Sequence, residues 1–284
     1  MLTIAIQKSG RLSAKTIELL QDCGIKLDAP RNGTLKTNAK NFPLQALFLR
    51  DDDIPECVAD AVADIGIVGE NVVSEKAKSV KIDTRLGFGR CRLSIAVPRA
   101  TVYRSVSDLG KGRIATSFPK ILKAYLKRKG SKAVIQEISG SVEITPGIGM
   151  ADAIFDIVST GSTLLSNGLK EVEKVMNSEA VLIARPGLPT QKSNLLAQLR
   201  FRIDTVRRAV NSKYILLNAP NQALDAITRL LPGMNSPSIV PLAREGWSSL
   251  HSVIDEDDFW ENIEQLRKMG AEGILIVPIE KMIL

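Results

Sequence analysis

The sequence predicts an α/β protein of two facing lobes, followed by a smaller domain in which the elements run β-α-β-β-α-β. Three observations support this. Short apolar runs bounded by Gly, Pro or Asp alternate with segments of helical periodicity from Leu2 to Asn211. Within that stretch ADAVADIGIVGENV (Ala59–Val72) aligns without gaps to ADAIFDIVSTGSTL (Ala151–Leu164), matching Ala59 with Ala151, Asp60 with Asp152, Ala61 with Ala153, Asp64 with Asp156, Ile65 with Ile157 and Gly69 with Gly161. Beyond Asn211 the order of elements changes, to Tyr214–Leu217, Gln222–Leu231, Ser238–Pro241, Ser249–Ile254, Phe259–Met269 and Ile274–Pro278.

Two similar lobes across a cleft describe a type II periplasmic-binding-protein-like fold, in which ligands sit at strand ends between the lobes. The last six elements describe a ferredoxin-like domain. The expected boundaries are 1–98 with 181–211 for the first lobe and connecting helix, 99–180 for the second lobe, and 212–284 for the C-terminal domain.

The first lobe opens with a strand over Leu2–Gln7, turns at Ser9-Gly10 and enters a helix that Ser13 would cap, with apolar positions at Ile17, Leu19 and Leu20 and an end near Gly24. A strand over Leu93–Val97 stops at Pro98, where the chain is expected to cross to the second lobe. There Arg113–Thr116 reads as a strand, and Ser117-Phe118-Pro119 opens a helix with proline early in its first turn. Ala180–Ala184 reads as a strand returning to the first lobe. Leu196, Leu199, Ile203, Val206 and Val210 then recur at helical spacing, giving one connecting helix over Ser193–Asn211.

The 284 residues suffice for two or three modules with sizeable cores, and a hydrophobic content of 44% suits a globular protein. No apolar run reaches the length of a membrane span, and Lys8 and Arg11 interrupt the N-terminal segment too soon for a signal peptide, so a cytoplasmic location is expected. Three cysteines in no metal-ligand spacing fit reduced thiols. The single histidine, His251, has no identifiable Cys or Ser partner for nucleophilic catalysis. The net charge of +7 is spread along the chain and aromatics make up only 4%, which argues against a nucleic-acid platform and fits polyphosphate ligands. No G-x-x-x-x-G-K-[ST] loop occurs, and Gly87-Phe88-Gly89 and Gly147-Ile148-Gly149 lack the third glycine of a dinucleotide fingerprint.

The chemistry concentrates in EITPGIGMADAIFDIVSTGSTL (Glu143–Leu164). Ala153–Val158 reads as a buried strand that delivers Asp156 and the loop Ser159-Thr160-Gly161-Ser162-Thr163 to one sheet edge. Gly161 permits positive φ, so successive backbone N–H groups converge on an anion, and the surrounding hydroxyls add donors for a terminal phosphate. A carboxylate just before such a loop suits a sugar diol, accepting two hydrogen bonds. Phosphate with neighbouring hydroxyls describes a ribose 5-phosphate.

The spacing of Glu143, Gly149, Ala151, Asp156, Thr160, Gly161, Thr163 and Leu164 resembles the signature of the ATP phosphoribosyltransferases, which act first in histidine biosynthesis. Ala5–Leu12, Arg50–Pro55, Asp64–Val72, Cys91–Pro98, Ile114–Leu126 and Ile274–Met282 also look like that family, in its long form with a regulatory C-terminal domain. The resemblance implies joining N1 of ATP to C1 of phosphoribosyl pyrophosphate (PRPP), with no side-chain nucleophile. Glu143, Asp156 and Ser159 to Thr163 would bind PRPP. Lys8, Arg11, Arg50 and Arg92 would stabilise the leaving pyrophosphate or the ATP phosphates, with Arg11 and Glu70 near ATP. It further implies Mg²⁺ held mainly by substrate oxygens, with its protein ligands unknown; Asp51-Asp52-Asp53 is the tempting alternative. L-histidine would bind an ACT-like C-terminal domain as inhibitor, with active dimers and inhibited hexamers. A non-catalytic solute-binding protein on the same two-lobed fold is the competing reading.

Overall fold

The structure is a computed structural model that describes residues 1–27, 35–231, 233–234 and 236–283. The chain forms two compact units, Met1–Ala197 and Gln198–Leu284. In the first, β1 (Leu2–Gln7) turns into α1 (Arg11–Asp22), and β2 (Lys36–Asn38) and β3 (Leu44–Leu49) lead to α2 (Ile54–Ala59). Then come β4 (Ile65–Gly69), α3 (Glu70–Lys76) and β5 (Lys81–Arg85). The middle of the unit holds β6 (Cys91–Pro98), β7 (Arg113–Thr116), α4 (Pro119–Lys129), β8 (Val134–Glu137), β9 (Ala153–Val158) and the short α5 (Ser162–Ser166). It closes with β10 (Leu169–Ser178), β11 (Ala180–Ala184) and the start of α6 (Thr190–Val210), whose residues Leu196, Leu199, Ile203 and Val206 are buried.

Two sheets result, ordered β2-β3-β1-β4-β11-β5 and β10-β6-β9-β7-β8. Apart from the edge strand β2, they have one topology. In the first, β3, β1 and β4 run parallel and β11 joins β4 antiparallel, followed by β5. In the second, β8, β7 and β9 run parallel and β6 joins β9 antiparallel, followed by β10. Strands β1, β4 and β11 read as nearly continuous apolar runs because both their faces are covered, and β9 does so up to Phe155. The internal repeat is therefore a repeat of fold. In each sheet the antiparallel strand is the first one after a crossing, β6 in the second sheet and β11 in the first.

Two expectations change. Strand β6 belongs to the second sheet, paired with β9 and β10, so residues 91–98 leave the first lobe. The chain crosses between β5 and β6, where Gly87 and Gly89 take φ of 80° and 65°, rather than at Pro98. Pro98 ends a strand without redirecting the chain, since a proline at a strand end forfeits only a ladder donor. Ser13 is not a cap either. Gly10, at φ 97°, turns β1 directly into α1 and takes the capping position, so Ser13 lies inside the helix and is buried.

The second unit contains β12 (Ser212–Pro220), α7 (Leu224–Leu230), β13 (Ser238–Pro241), β14 (Trp247–Asp255), α8 (Glu256–Lys268) and β15 (Glu272–Pro278). Its sheet is antiparallel in the order β13-β14-β12-β15, the ferredoxin-like arrangement. Alternate residues Ile215, Leu217, Ala219, Leu250 and Ile254 face one core with Ile227, Phe259 and Leu266 of the two helices.

Candidate active site

Parallel strands point their carboxyl ends the same way, so each sheet gathers its following loops on one edge. From the first sheet these are Lys8 to Arg11 after β1, Arg50 to Asp53 after β3 and Glu70 after β4. From the second they are Ser117 after β7, Ser139 and Gly140 after β8, and Ser159 to Thr163 after β9. A cleft of about 850 Å³ opens between the lobes, lined by Asp52, Glu75 and Lys76 on one side and by Ser117, Lys120 and Ser139 on the other. The hydroxyl loop leaves the same edge as the Ser117 and Ser139 segments.

The two halves of the repeat diverge here. Gly69 and Gly161 both occupy the position before a helix, α3 or α5. In the first copy β4 runs straight into that position, with Gly69 extended at φ −67°. In the second, β9 ends three alignment positions earlier, at Val158, and Gly161 is left-handed at φ 84°. The strand starts and ends earlier in the alignment, and Ser159-Thr160-Gly161 becomes an open loop. Ser159, Thr160, Ser162 and Thr163 are exposed, and the Thr160 and Ser162 hydroxyls lie 3.0 Å apart.

The aligned aspartates part company as well. Asp64 is 2% exposed and fully engaged: it accepts from the Thr3 backbone N–H at 3.0 Å and pairs with Arg185 and Lys192. Asp156 is half-buried, accepts from its neighbour Ile157 N–H at 2.7 Å and has no ion-pair partner among the described residues. Burial pushes its carboxyl above the usual value of 3.8, and the charge of Glu143 pushes the same way. Glu143 follows the buried Val142 in a short turn, and its charge acts on Asp156 from thirteen positions earlier in the chain.

The basic residues separate into two kinds. Lys8, Arg11 and Arg50 are exposed at the first sheet's edge and form no ion pair among the described residues. Arg92 is committed: its Nε donates to Glu171 Oε1 at 2.6 Å, its Nη2 pairs with Glu171 Oε2, and its Nη1 donates to the Ser159 carbonyl at 3.0 Å. It is thus no free cation aimed at a leaving group, because a carboxylate across the sheet claims its fork. Glu70 is similarly engaged, its largely covered carboxylate paired with Arg85. Asp51-Asp52-Asp53 forms a single 3₁₀ turn, and Asp52 pairs with Lys76 at 3.3 Å. Among the described residues, no group of three His, Cys, Asp or Glu side chains is placed to hold a metal ion.

Sequence reasoning missed Glu171, Ser94 and Glu75. Glu75 is buried and accepts from the backbone N–H groups of Lys120 and Ile121 at 2.9 and 3.0 Å, so α3 of one lobe caps α4 of the other. The available signal was a helix opening on Phe118-Pro119 with no capping side chain of its own.

Lobes of matching topology around a cleft, one carrying an exposed hydroxyl loop after the strand of a half-buried aspartate, define a two-lobed α/β fold with a candidate ligand site. The family model "HisG: ATP phosphoribosyltransferase" matches residues 50–205, and "HisG, C-terminal domain" matches residues 209–281. The chain is 57% identical to the ATP phosphoribosyltransferase of Cytophaga hutchinsonii, over 100% of this chain and 99% of that one. It is 53% identical to that of Bacteroides fragilis over the full length of both. Among solved structures, the ATP phosphoribosyl transferase (HisG:HisZ) complex from Thermotoga maritima matches with a TM-score of 0.62 and 29% identity, over 72% of this chain and 99% of that chain. The chain belongs to the ATP phosphoribosyltransferase family, the transferases of the first step of histidine biosynthesis.

Among the described residues no helix is long and apolar enough to cross a membrane.

Proposed function

We propose that this chain joins N1 of the ATP adenine to C1 of PRPP, releasing pyrophosphate and forming 1-(5-phosphoribosyl)-ATP. The exposed, Gly161-centred hydroxyl loop that follows β9, the strand of the half-buried Asp156, carries this reading. Ser159 to Thr163 grip the 5-phosphate, while Asp156 and Glu143 accept from the ribose hydroxyls. Lys8, Arg11 and Arg50, which form no ion pair among the described residues, receive the pyrophosphate and the ATP phosphates, and Glu70 lies at the nucleotide's side. The C1–O bond to pyrophosphate breaks as N1 closes on C1, and the adenine sheds a proton to solvent. A neutral nitrogen attacks a cation-like ribose centre, so alignment and charge stabilisation suffice and no side-chain nucleophile is required. The donor set offers no carboxylate cage, so Mg²⁺ would reach the site on the pyrophosphate oxygens of PRPP.

The ferredoxin-like unit is read as an ACT-like regulatory domain through which L-histidine inhibits a cytoplasmic enzyme that shifts between dimer and hexamer. The match of residues 209–281 to the family's C-terminal domain supports that assignment. The deciding experiment combines purified protein with ATP, PRPP, Mg²⁺ and a pyrophosphatase, then seeks the phosphoribosyl adduct by mass spectrometry with and without histidine. Binding of both substrates without any adduct would instead support a solute-binding protein.

A further inference from the structure

Strand β10 carries two glutamates, Glu171 and Glu173, whose spacing would put both on one face of an undistorted strand. A bulge intervenes: Ala96 of β6 pairs with Glu171, and the next residue, Ile95, pairs with Glu173. The extra residue sends the two carboxylates to opposite faces. Glu173 joins the side of Leu93 and Ile95, where Tyr103 and Tyr125 both donate to it. Glu171 joins the side of Ala96, Ser94 and Arg92. There it accepts from Ser94 Oγ at 2.7 Å as well as from two nitrogens of Arg92.

That side is the face of the candidate site. In the β6–β9 register Ser94 pairs with Asp156 and Arg92 with Val158, the last strand residue before the hydroxyl loop. The guanidinium therefore has one nitrogen left over, and it binds the Ser159 carbonyl. In a trans peptide the Ser159 carbonyl and the Thr160 N–H point in opposite directions. Holding the oxygen against β6 removes an anion-repelling dipole from the loop and aims the Thr160 N–H the other way. A fork held by a carboxylate on one side and a carbonyl on the other is also more rigid than one held by a single contact.

We propose that Glu171 is a positioning residue for PRPP: through Arg92 it sets the Ser159–Thr160 peptide plane so that the loop presents donors to the 5-phosphate. This inference rests on the phosphoribosyl transfer proposed above. Steady-state kinetics on the full chain with each substrate varied separately tests it. Glu171→Gln keeps the shape but drops the charge, and should raise KM for PRPP about ten- to hundredfold while KM for ATP stays within about twofold. Arg92→Lys keeps the charge but cannot span Glu171 and Ser159 together, and should show the same split; it also serves if the first variant does not fold. Glu173→Gln, on the other face of the same strand, should lower thermal stability with both KM values unchanged. A wild-type KM for PRPP in folded Glu171→Gln or Arg92→Lys, or an equal rise in both KM values, overturns the assignment. Absence of adduct with the wild-type chain would instead sink the reaction itself.

Discussion

Asp156 and Asp64 occupy equivalent positions in a repeat yet have opposite electrostatic situations. Asp64 is buried and paired with two cations; Asp156 is partly buried, feels the charge of Glu143 and has no ion-pair partner among the described residues. The consequence can be worked out in sign. Burial raises the folded-state titration of Asp156, so its contribution to stability is complete below its ordinary value of 3.8 and is lost as pH rises through the folded value. Asp156→Asn carries no such charge. At neutral pH it should melt at or above the wild-type temperature, with the difference shrinking as pH falls, while kcat/KM drops by about tenfold or more. A marked loss of stability at neutral pH would contradict this account. At Gly161 a methyl group would find room, with Val158 Cγ1 4.0 Å away, but φ of 84° would strain any other residue by about 1–2 kcal/mol. The double variant Gly161→Ala, Thr163→Ala should therefore raise KM for PRPP, and unchanged kinetics would remove the loop from the phosphate site.

Among elements, α4 depends on a cap it does not own. Pro119 at its start has no N–H to satisfy, but the next two donors are buried against Glu75 of α3 in the other lobe. Glu75→Ala should lower stability by about 1–2 kcal/mol, seen as a fall in thermal midpoint. It should also loosen the lobes, so that amide exchange quickens in the first turn of α4 ahead of its middle. Exchange unchanged at Lys120 and Ile121 would show that the carboxylate caps nothing in solution. The bulge in β10 is the other element-level device, since it divides two glutamates between a structural cluster and the site.

For the whole molecule, a two-lobed unit and a ferredoxin-like unit in one chain suggest catalysis and its control on separate folds. If histidine inhibits, it must bind one assembly better than the other, because a ligand of equal affinity for both shifts nothing. Sedimentation velocity with and without saturating histidine should show a redistribution from dimer toward hexamer; identical distributions would reject that regulation.

Much of this was legible in residue order. Strands β1, β7, β11 and β13 start and end where residue order places them; β1, β7 and β11 are apolar runs because they are covered, whereas β13 is exposed and is bounded only by Ser238 and Pro241. The hydroxyl-glycine run marked an exposed loop after β9, and the gapless repeat announced two lobes, since local spacing records local geometry. What the order of residues could not convey was partnership. Cys91–Pro98 reads as a strand in either lobe until its hydrogen bonds are known. Whether Arg92 is a free cation or a clamp, whether Glu70 is open or paired, and which face Glu171 serves all depend on strands distant in sequence and on one inserted residue in β10. Sequence records which side chains exist and how they repeat; only the folded chain decides which charges meet, because pairing energy depends on separation in space.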